Sequence, residues 1–294
     1  MSDKYQGIFA ANTTPFKEDG RLDETALGSE IDYLIRQGIK GFFAGGTYGE
    51  GPMMSVAEYG DYIKAYLAAV SGRVPVIAQI GATSLEVAVQ QGKLAEKAGA
   101  DSVAAIMPFY FPHDDQAIYG YFQDLAAAVD LPLFVYNNPW RSGNTLSPAL
   151  LGKLAQIPGV IGIKDSCDSI QDFCKYKMQA GPDFKMMIGN DDMTLSALLM
   201  GADGGIIVLA GLFPDLYVNM HQAFLAGDLA RARELQFEAI RIRMVLKKGP
   251  YISTYKAVLS LLGRPGGASK KPTRMPTAEE MAAIEKGLKE LGRL

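Results

Sequence analysis

The chain has 294 residues, 48% of them hydrophobic and 21% charged, which suits a globular protein that buries its core without disulfide or metal staples. A net charge of −3 excludes a basic nucleic-acid-binding surface, and no apolar stretch is long enough to span a membrane. Cys167 and Cys174 stand seven positions apart, outside the close spacing of structural zinc pairs, and they read as the reduced thiols of a cytoplasmic protein. The opening Met1-Ser2-Asp3-Lys4-Tyr5 holds no apolar run, so no signal peptide is expected.

Short apolar runs alternate with longer amphipathic ones. Strands are predicted over Gly7–Ala11, Gly41–Gly45, Val74–Gln79, Ser102–Ile106, Leu131–Tyr136, Val160–Lys164, Lys185–Ile188 and Gly204–Leu209. Between them the spacing predicts helices over Glu24–Gln37, Ser55–Val70, Ser84–Ala98, Asp115–Val129, Ser147–Gln156, Ser169–Ala180 and Thr194–Gly201. Asp23, Ser55 and Ser84 are placed as helix N-caps. Gly38, Gly99 and, after Ser71, Gly72 are placed where helices close. After the last strand the pattern is helical again: Pro214–Ala226, Leu229–Leu246, Ile252–Leu262 and Thr277–Leu291.

Strands separated by helices pair in parallel through right-handed crossovers. Eight of them in about 200 residues fit an α/β (β/α)8 TIM barrel better than an open sheet. An open sheet would be expected to carry an early dinucleotide fingerprint, and Gly45–Gly51 lacks that spacing and follows the second strand. The expected organisation is a barrel over residues 1–212, with a C-terminal helical region over 213–294 packed on it as one structural unit.

In such a barrel, chemistry sits at the C-terminal ends of the strands. That rule gathers Gly46, Thr47 and Tyr48 from the second strand, Tyr110 from the fourth, Tyr136 and Arg141 from the fifth, Lys164 from the sixth and Gly189 from the seventh. Lys164 ends the run Val160-Ile161-Gly162-Ile163. Burial there disfavours the ammonium, and a free amine attacks ketones to form a Schiff base; alone, such a lysine also reads as one that snorkels to solvent. Taken singly, Tyr136 reads as a core aromatic, Arg141 as a loop charge and Thr47 as a cap; their convergence weakens those readings. Metal chemistry is poorly supported: His113 and His221 stand far apart, and a carboxylate site at Asp191-Asp192 is the remaining alternative.

These motifs resemble the dihydrodipicolinate synthase / N-acetylneuraminate lyase family of pyruvate-dependent class I aldolases. The resemblance covers nearly the whole chain. It rests on Ala11-Asn12-Thr13-Thr14-Pro15-Phe16, Gly45–Gly51, Tyr136-Asn137-Asn138-Pro139 and Gly162-Ile163-Lys164-Asp165 in that order. It implies a (β/α)8 barrel with a C-terminal helical region, a homo-oligomer, usually a tetramer, and no cofactor or metal. It implies Lys164 as the Schiff-base lysine, Tyr136 as the proton shuttle and Thr47 as the hydroxyl that orients it. By the same resemblance Tyr110 reaches across a subunit boundary, Arg141 takes the carboxylate of a second substrate, and Ile206 offers a backbone carbonyl near the pyruvate. The sequence departs from the family at Tyr48, where a small hydroxyl residue is usual, and at Trp140 beside Arg141. Condensation of pyruvate with aspartate semialdehyde is the expectation slightly ahead. An aldolase or dehydratase for 2-keto-3-deoxy sugar acids is its rival, and a catalytically silent keto-acid-binding barrel is the alternative of another class.

Overall fold

Eight parallel strands close on themselves in chain order, β1 (Gly7–Ala10), β2 (Gly41–Ala44), β3 (Val76–Gln79), β4 (Ser102–Ile106), β5 (Leu133–Asn137), β6 (Val160–Asp165), β7 (Lys185–Ile188) and β8 (Gly204–Ile207), with β8 paired to β1. The computed structural model describes residues 3–294; Met1 and Ser2, part of the opening read above, lie outside the described residues. Around the barrel run α1 (Glu24–Arg36), α2 (Val56–Val70), α3 (Leu85–Ala98), α4 (Asp115–Ala128), α5 (Pro139–Ser142), α6 (Pro148–Leu154), α7 (Ile170–Ala180), α8 (Thr194–Leu199) and α9 (Leu209–Leu212). Then come α10 (Pro214–Leu225), α11 (Leu229–Leu246), α12 (Ser253–Leu261) and α13 (Ala278–Glu290). No helix among the described residues is long and apolar enough to cross a membrane.

The caps follow side-chain chemistry. Asp23 accepts from the Ala26 N–H, Ser84 accepts from Val87, and Ser55 forms a reciprocal capping box with Glu58. Gly99 closes α3 in the left-handed region, whereas α2 is closed by Ser71, itself left-handed, with Gly72 one residue beyond. Two four-residue helices, α5 and α9, were not predicted, since a single turn leaves no periodicity to detect. The eighth strand therefore ends at Ile207, two residues earlier than expected: Val208 is already helical in backbone and Leu209 opens α9. The third and fifth strands begin at Val76 and Leu133, each just after a proline, which has no N–H to give to a ladder.

The barrel interior is filled by Phe9, Phe43, Ile77, Ala104, Ile106, Phe134, Tyr136, Met187 and Ile206. Its large rings fit because neighbouring strands put glycine opposite them. A Cβ at Gly41 would run into the Phe9 ring, and one at Gly162 into Phe134. The C-terminal helices pack on the same body: α10 lies against β1 and α11, and α13 against α11. A fully buried ion pair, Glu50 to Lys256 at 2.9 Å, ties the loop after β2 to α12. Lys256 also donates to the Ala268 carbonyl at 2.6 Å.

Candidate functional site: an amine at the barrel rim

Tyr136 and Lys164 are register partners on β5 and β6, so both side chains enter the barrel at the same level. Lys164 is buried, its Nζ 3.7 Å from the centroid of the Phe43 ring and 4.2 Å from that of Tyr136. Burial lowers its pKa from the ordinary lysine value to about 7, while the nearby Asp191 carboxylate acts to raise it. A substantial share of the amine is therefore unprotonated at neutral pH. Space for it depends on Gly189, after β7: a Cβ there would lie 3.0 Å from Lys164 Cε and strike the Ser166 hydroxyl.

The Tyr136 hydroxyl is held from two sides. Asn138 Nδ2 donates to it at 3.0 Å, and Thr47 Oγ1 lies 3.3 Å away. These two contacts fix the position of the hydroxyl at the barrel rim. Phe43 meets the Tyr136 ring edge-on, centroids 5.4 Å apart, and fixes its plane.

Thr47 and Tyr48 sit on the turn after β2. Gly45 has φ +69°, and the Gly46 Cα closely overlies the Phe43 ring, where a Cβ would come 2.7 Å from it. The turn is pinned by Thr14 Oγ1 donating to the Gly49 carbonyl at 2.8 Å and by the Tyr62 hydroxyl accepting from the Gly45 N–H at 2.9 Å. The N–H groups of Thr47 and Tyr48 have no partner among the described residues, which leaves two backbone donors at the rim for an anion.

These groups open onto a cavity of about 250 Å³ lined by Thr47, Tyr48, Tyr136, Lys164, Gly189 and Ile206. Arg141, Trp140, Ser166, Asp168, Asn190, Asp191, Arg243 and Tyr251 line it as well. Asp191 is buried, accepts from the Leu209 N–H at 3.0 Å, and stands 3.4 Å from Arg243, which reaches in from α11. Burial pushes its carboxyl up, and the Arg243 guanidinium pulls it back. Trp140 is 75% exposed and donates from Nε1 to Asp168 at 3.1 Å.

The structure thus brings together Gly46, Thr47, Tyr48, Tyr136, Arg141, Lys164, Gly189 and Ile206 at one rim. Tyr110 is not among them: it is 83% exposed at φ +82° and does not line this chain's own cavity. Tyr48 lines the cavity with its ring packed at a tilt against two tyrosines of the C-terminal region, Tyr255 at 4.6 Å and Tyr251 at 4.8 Å. Asp191 and Asp192 are engaged by Arg243, and no group of three or more His, Cys, Asp or Glu able to hold a metal ion occurs among the described residues. Sequence reasoning gave no part to Arg243, Tyr251 or the side chain of Asn138. Asn138 stood inside a quoted motif; the other two carry no local signal, because tertiary packing alone delivers them.

A buried amine with its pKa lowered to about 7, beside a tyrosine, thus lies on the C-terminal rim of a closed parallel barrel, the face where barrel enzymes place their chemistry. The chain belongs to the dihydrodipicolinate synthetase family, which it matches over residues 4–291. It is 34% identical to an N-acetylneuraminate lyase of Rhizobium meliloti (strain 1021), over 97% of this chain and 95% of that one. It is 33% identical to a 4-hydroxy-tetrahydrodipicolinate synthase of Leptothrix cholodnii, over 98% of each. Its fold matches the crystal structure of YagE, a prophage protein of the dihydrodipicolinic acid synthase family from E. coli K12 in complex with pyruvate, with a TM-score of 0.95, 30% identity and 99% of both chains covered. The chain is accordingly a lyase of the pyruvate-dependent class I aldolase and synthase kind.

Proposed function

We propose that Lys164 captures pyruvate as an imine and that the enamine made from it adds to an aldehyde bearing a carboxylate, with aspartate semialdehyde as the favoured acceptor. The observation that carries the reading is the buried amine, held near pKa 7 and facing Tyr136. The free amine adds to the ketone carbon, the resulting carbinolamine hydroxyl takes up one proton and leaves as water, and an iminium remains. The iminium draws electrons from the adjacent methyl, which loses a proton to become an enamine; its terminal carbon then attacks the aldehyde. Tyr136 moves protons in these steps, steadied by Thr47 and Asn138. The free N–H groups of the Gly46–Tyr48 turn take the pyruvate carboxylate, and Ile206, which lines the cavity, has its backbone carbonyl near the pyruvate. Arg141, whose guanidinium has no hydrogen-bond or ion-pair partner among the described residues, takes the carboxylate of the acceptor through its planar fork.

The cleavage of a 2-keto-3-deoxy sugar acid, or its dehydration, is the second reading. It is favoured by the polar lining residues Ser166, Asp168 and Asn190 beside Trp140, which suit hydroxyl groups. Borohydride trapping with pyruvate tests the shared chemistry: the adduct is expected on the peptide containing Lys164, and an adduct elsewhere only would refute it. Arg141→Ala separates the two substrates. Loss of a charged hydrogen bond of about 1.5–3 kcal/mol lowers kcat/KM for a carboxylate-bearing acceptor roughly ten- to a hundredfold, whereas an aldehyde without a carboxylate responds weakly.

A homo-oligomer, a tetramer built as a dimer of dimers, completes the proposal. A second cavity of about 180 Å³, lined by Thr47, Tyr136, Phe109, Met53 and Ile252, adjoins the site, and the exposed, backbone-strained Tyr110 of a second copy is its proposed occupant. A fully active monomer in sedimentation would refute this. No metal takes part in the proposed steps, so EDTA is expected to leave turnover unchanged.

A further inference from the structure

Arg141 stands at the cavity edge with its Cζ 4.1 Å from the centroid of the Tyr251 ring. The guanidinium makes no hydrogen bond and no ion pair among the described residues. Tyr251 lies in the turn between α11 and α12, is 49% exposed, and lines the same cavity. It packs in turn against Tyr48, at 4.8 Å between centroids with the rings tilted by 38°, and Tyr48 packs against Tyr255 of α12 at 4.6 Å with a tilt of 58°. Tyr255 is buried, and its neighbour Lys256 is fixed by the ion pair to Glu50, so the inner end of this aromatic ladder is anchored in the core.

We propose that Tyr251 is a positioning residue for the second substrate, holding the guanidinium of Arg141 over the cavity so that its donors meet the acceptor's carboxylate. This rests on the reading of Arg141 given above. The geometry suits the task. A guanidinium stacked on a ring uses its face, which carries no hydrogens, and leaves its in-plane N–H fork free for two parallel bonds to a carboxylate. An arginine without that support samples many rotamers, and each binding event must order it again. The ladder also gives Tyr48 a use. In place of a small pocket-lining hydroxyl, the turn after β2 presents a ring that braces Tyr251, and the C-terminal helices thereby shape acceptor recognition without touching the reacting carbon.

Steady-state kinetics of the full-length protein with pyruvate and aspartate semialdehyde test this, using Tyr251→Ala, Tyr251→Leu and Tyr251→Phe, with Arg141→Ala alongside. Tyr251→Ala should raise KM for the semialdehyde about 3- to 30-fold, the range of a partly desolvated cation–π contact. Tyr251→Leu, which fills space without an aromatic face, should behave like the alanine variant. Tyr251→Phe should stay within about twofold of the unchanged protein, because the ring and not the hydroxyl holds Arg141. The yield of pyruvate trapped by borohydride reports the fold and the first half-reaction, and is expected to persist in all three Tyr251 variants. An unchanged KM in Tyr251→Ala while Arg141→Ala raises it overturns the role of Tyr251 and leaves Arg141 in place. An unchanged KM in both variants, or no turnover of aspartate semialdehyde by the unchanged protein, overturns both. Full rescue by leucine, or loss of the trapped adduct in Tyr251→Ala, would make Tyr251 a packing residue and end the proposal.

Discussion

Tyr136 and Lys164 face one another as register partners on adjacent strands, the amine 4.2 Å from the ring centroid. Their relation is therefore set by the ladder of backbone hydrogen bonds and not by flexible loops. A strand pair is among the stiffest parts of a domain, so the proposed proton shuttle and the proposed nucleophile keep their spacing. The second support comes from the side: Asn138 and Thr47 hold the tyrosine hydroxyl, and Asp191 biases the charge of the amine.

That bias has a measurable sign. The free amine is the reactive form, so imine formation with pyruvate should climb as pH rises through about 7, where burial places Lys164, and level off above it. The Asp191 carboxylate holds the amine's pKa up, so Asp191→Asn should move the midpoint of that rise to lower pH. The rate of borohydride-trapped adduct formation across a pH series is the measurement. A midpoint that stays put in the variant, or moves upward, contradicts this account of the charge around Lys164.

Tyr136→Phe should leave the fold intact and slow turnover by about 10²–10⁴-fold, the usual weight of a general acid–base group. The substitution removes one hydroxyl and little volume, and the ring keeps its edge-on contact with Phe43. Thr47→Val, which removes a neighbour of that hydroxyl, should act in the same direction and less. Near-normal turnover in the phenylalanine variant would assign the proton transfer to another group.

The barrel and most of its rim are legible in the chain because they follow from local rules. Apolar runs bounded by caps give the strands, and the strand-end rule then collects Thr47, Tyr136, Lys164 and Gly189 without any knowledge of contacts. What is not legible is whatever depends on how the C-terminal helices dock. Arg243 sits mid-helix among ordinary charges, and nothing in the sequence says that it reaches 3.4 Å from Asp191. Tyr251 looks like one more turn aromatic. The packing of Tyr48 is hidden for the same reason, since its ring is held by Tyr251 and Tyr255, some 200 residues away in sequence.

Gly189→Ala tests the room around the amine. The added Cβ would strike the Ser166 hydroxyl and come 3.0 Å from Lys164 Cε, so one of the two must move. Overpacking of this kind costs about 1–3 kcal/mol and shifts the side chains it meets. The expected result is a soluble, folded protein in which trapping at Lys164 is slowed well beyond the loss in stability. Trapping at the normal rate would mean that Ser166 alone gives way and that Gly189 is not needed for the lysine.

The buried pair of Glu50 and Lys256 supplies the last prediction, because it is the bolt between the turn that carries Thr47 and the helix that carries Tyr255. Both groups are fully buried and 2.9 Å apart, and Lys256 gives a further hydrogen bond to the Ala268 carbonyl. Burial lowers the lysine's pKa while the Glu50 carboxylate acts to raise it. Removing one member leaves the other charge buried without a partner, which costs about 3–5 kcal/mol, whereas removing both charges is often close to neutral. Lys256→Met should therefore lower the unfolding free energy by about that amount, and Glu50→Gln should lower it as well. The double variant should recover a large part of the loss, since neither charge is then stranded. Chemical unfolding of the four proteins at one subunit concentration gives the coupling directly. Additive losses in the double variant would show that the two residues contribute separately, and the turn after β2 would then owe its position to Thr14 and Tyr62 instead.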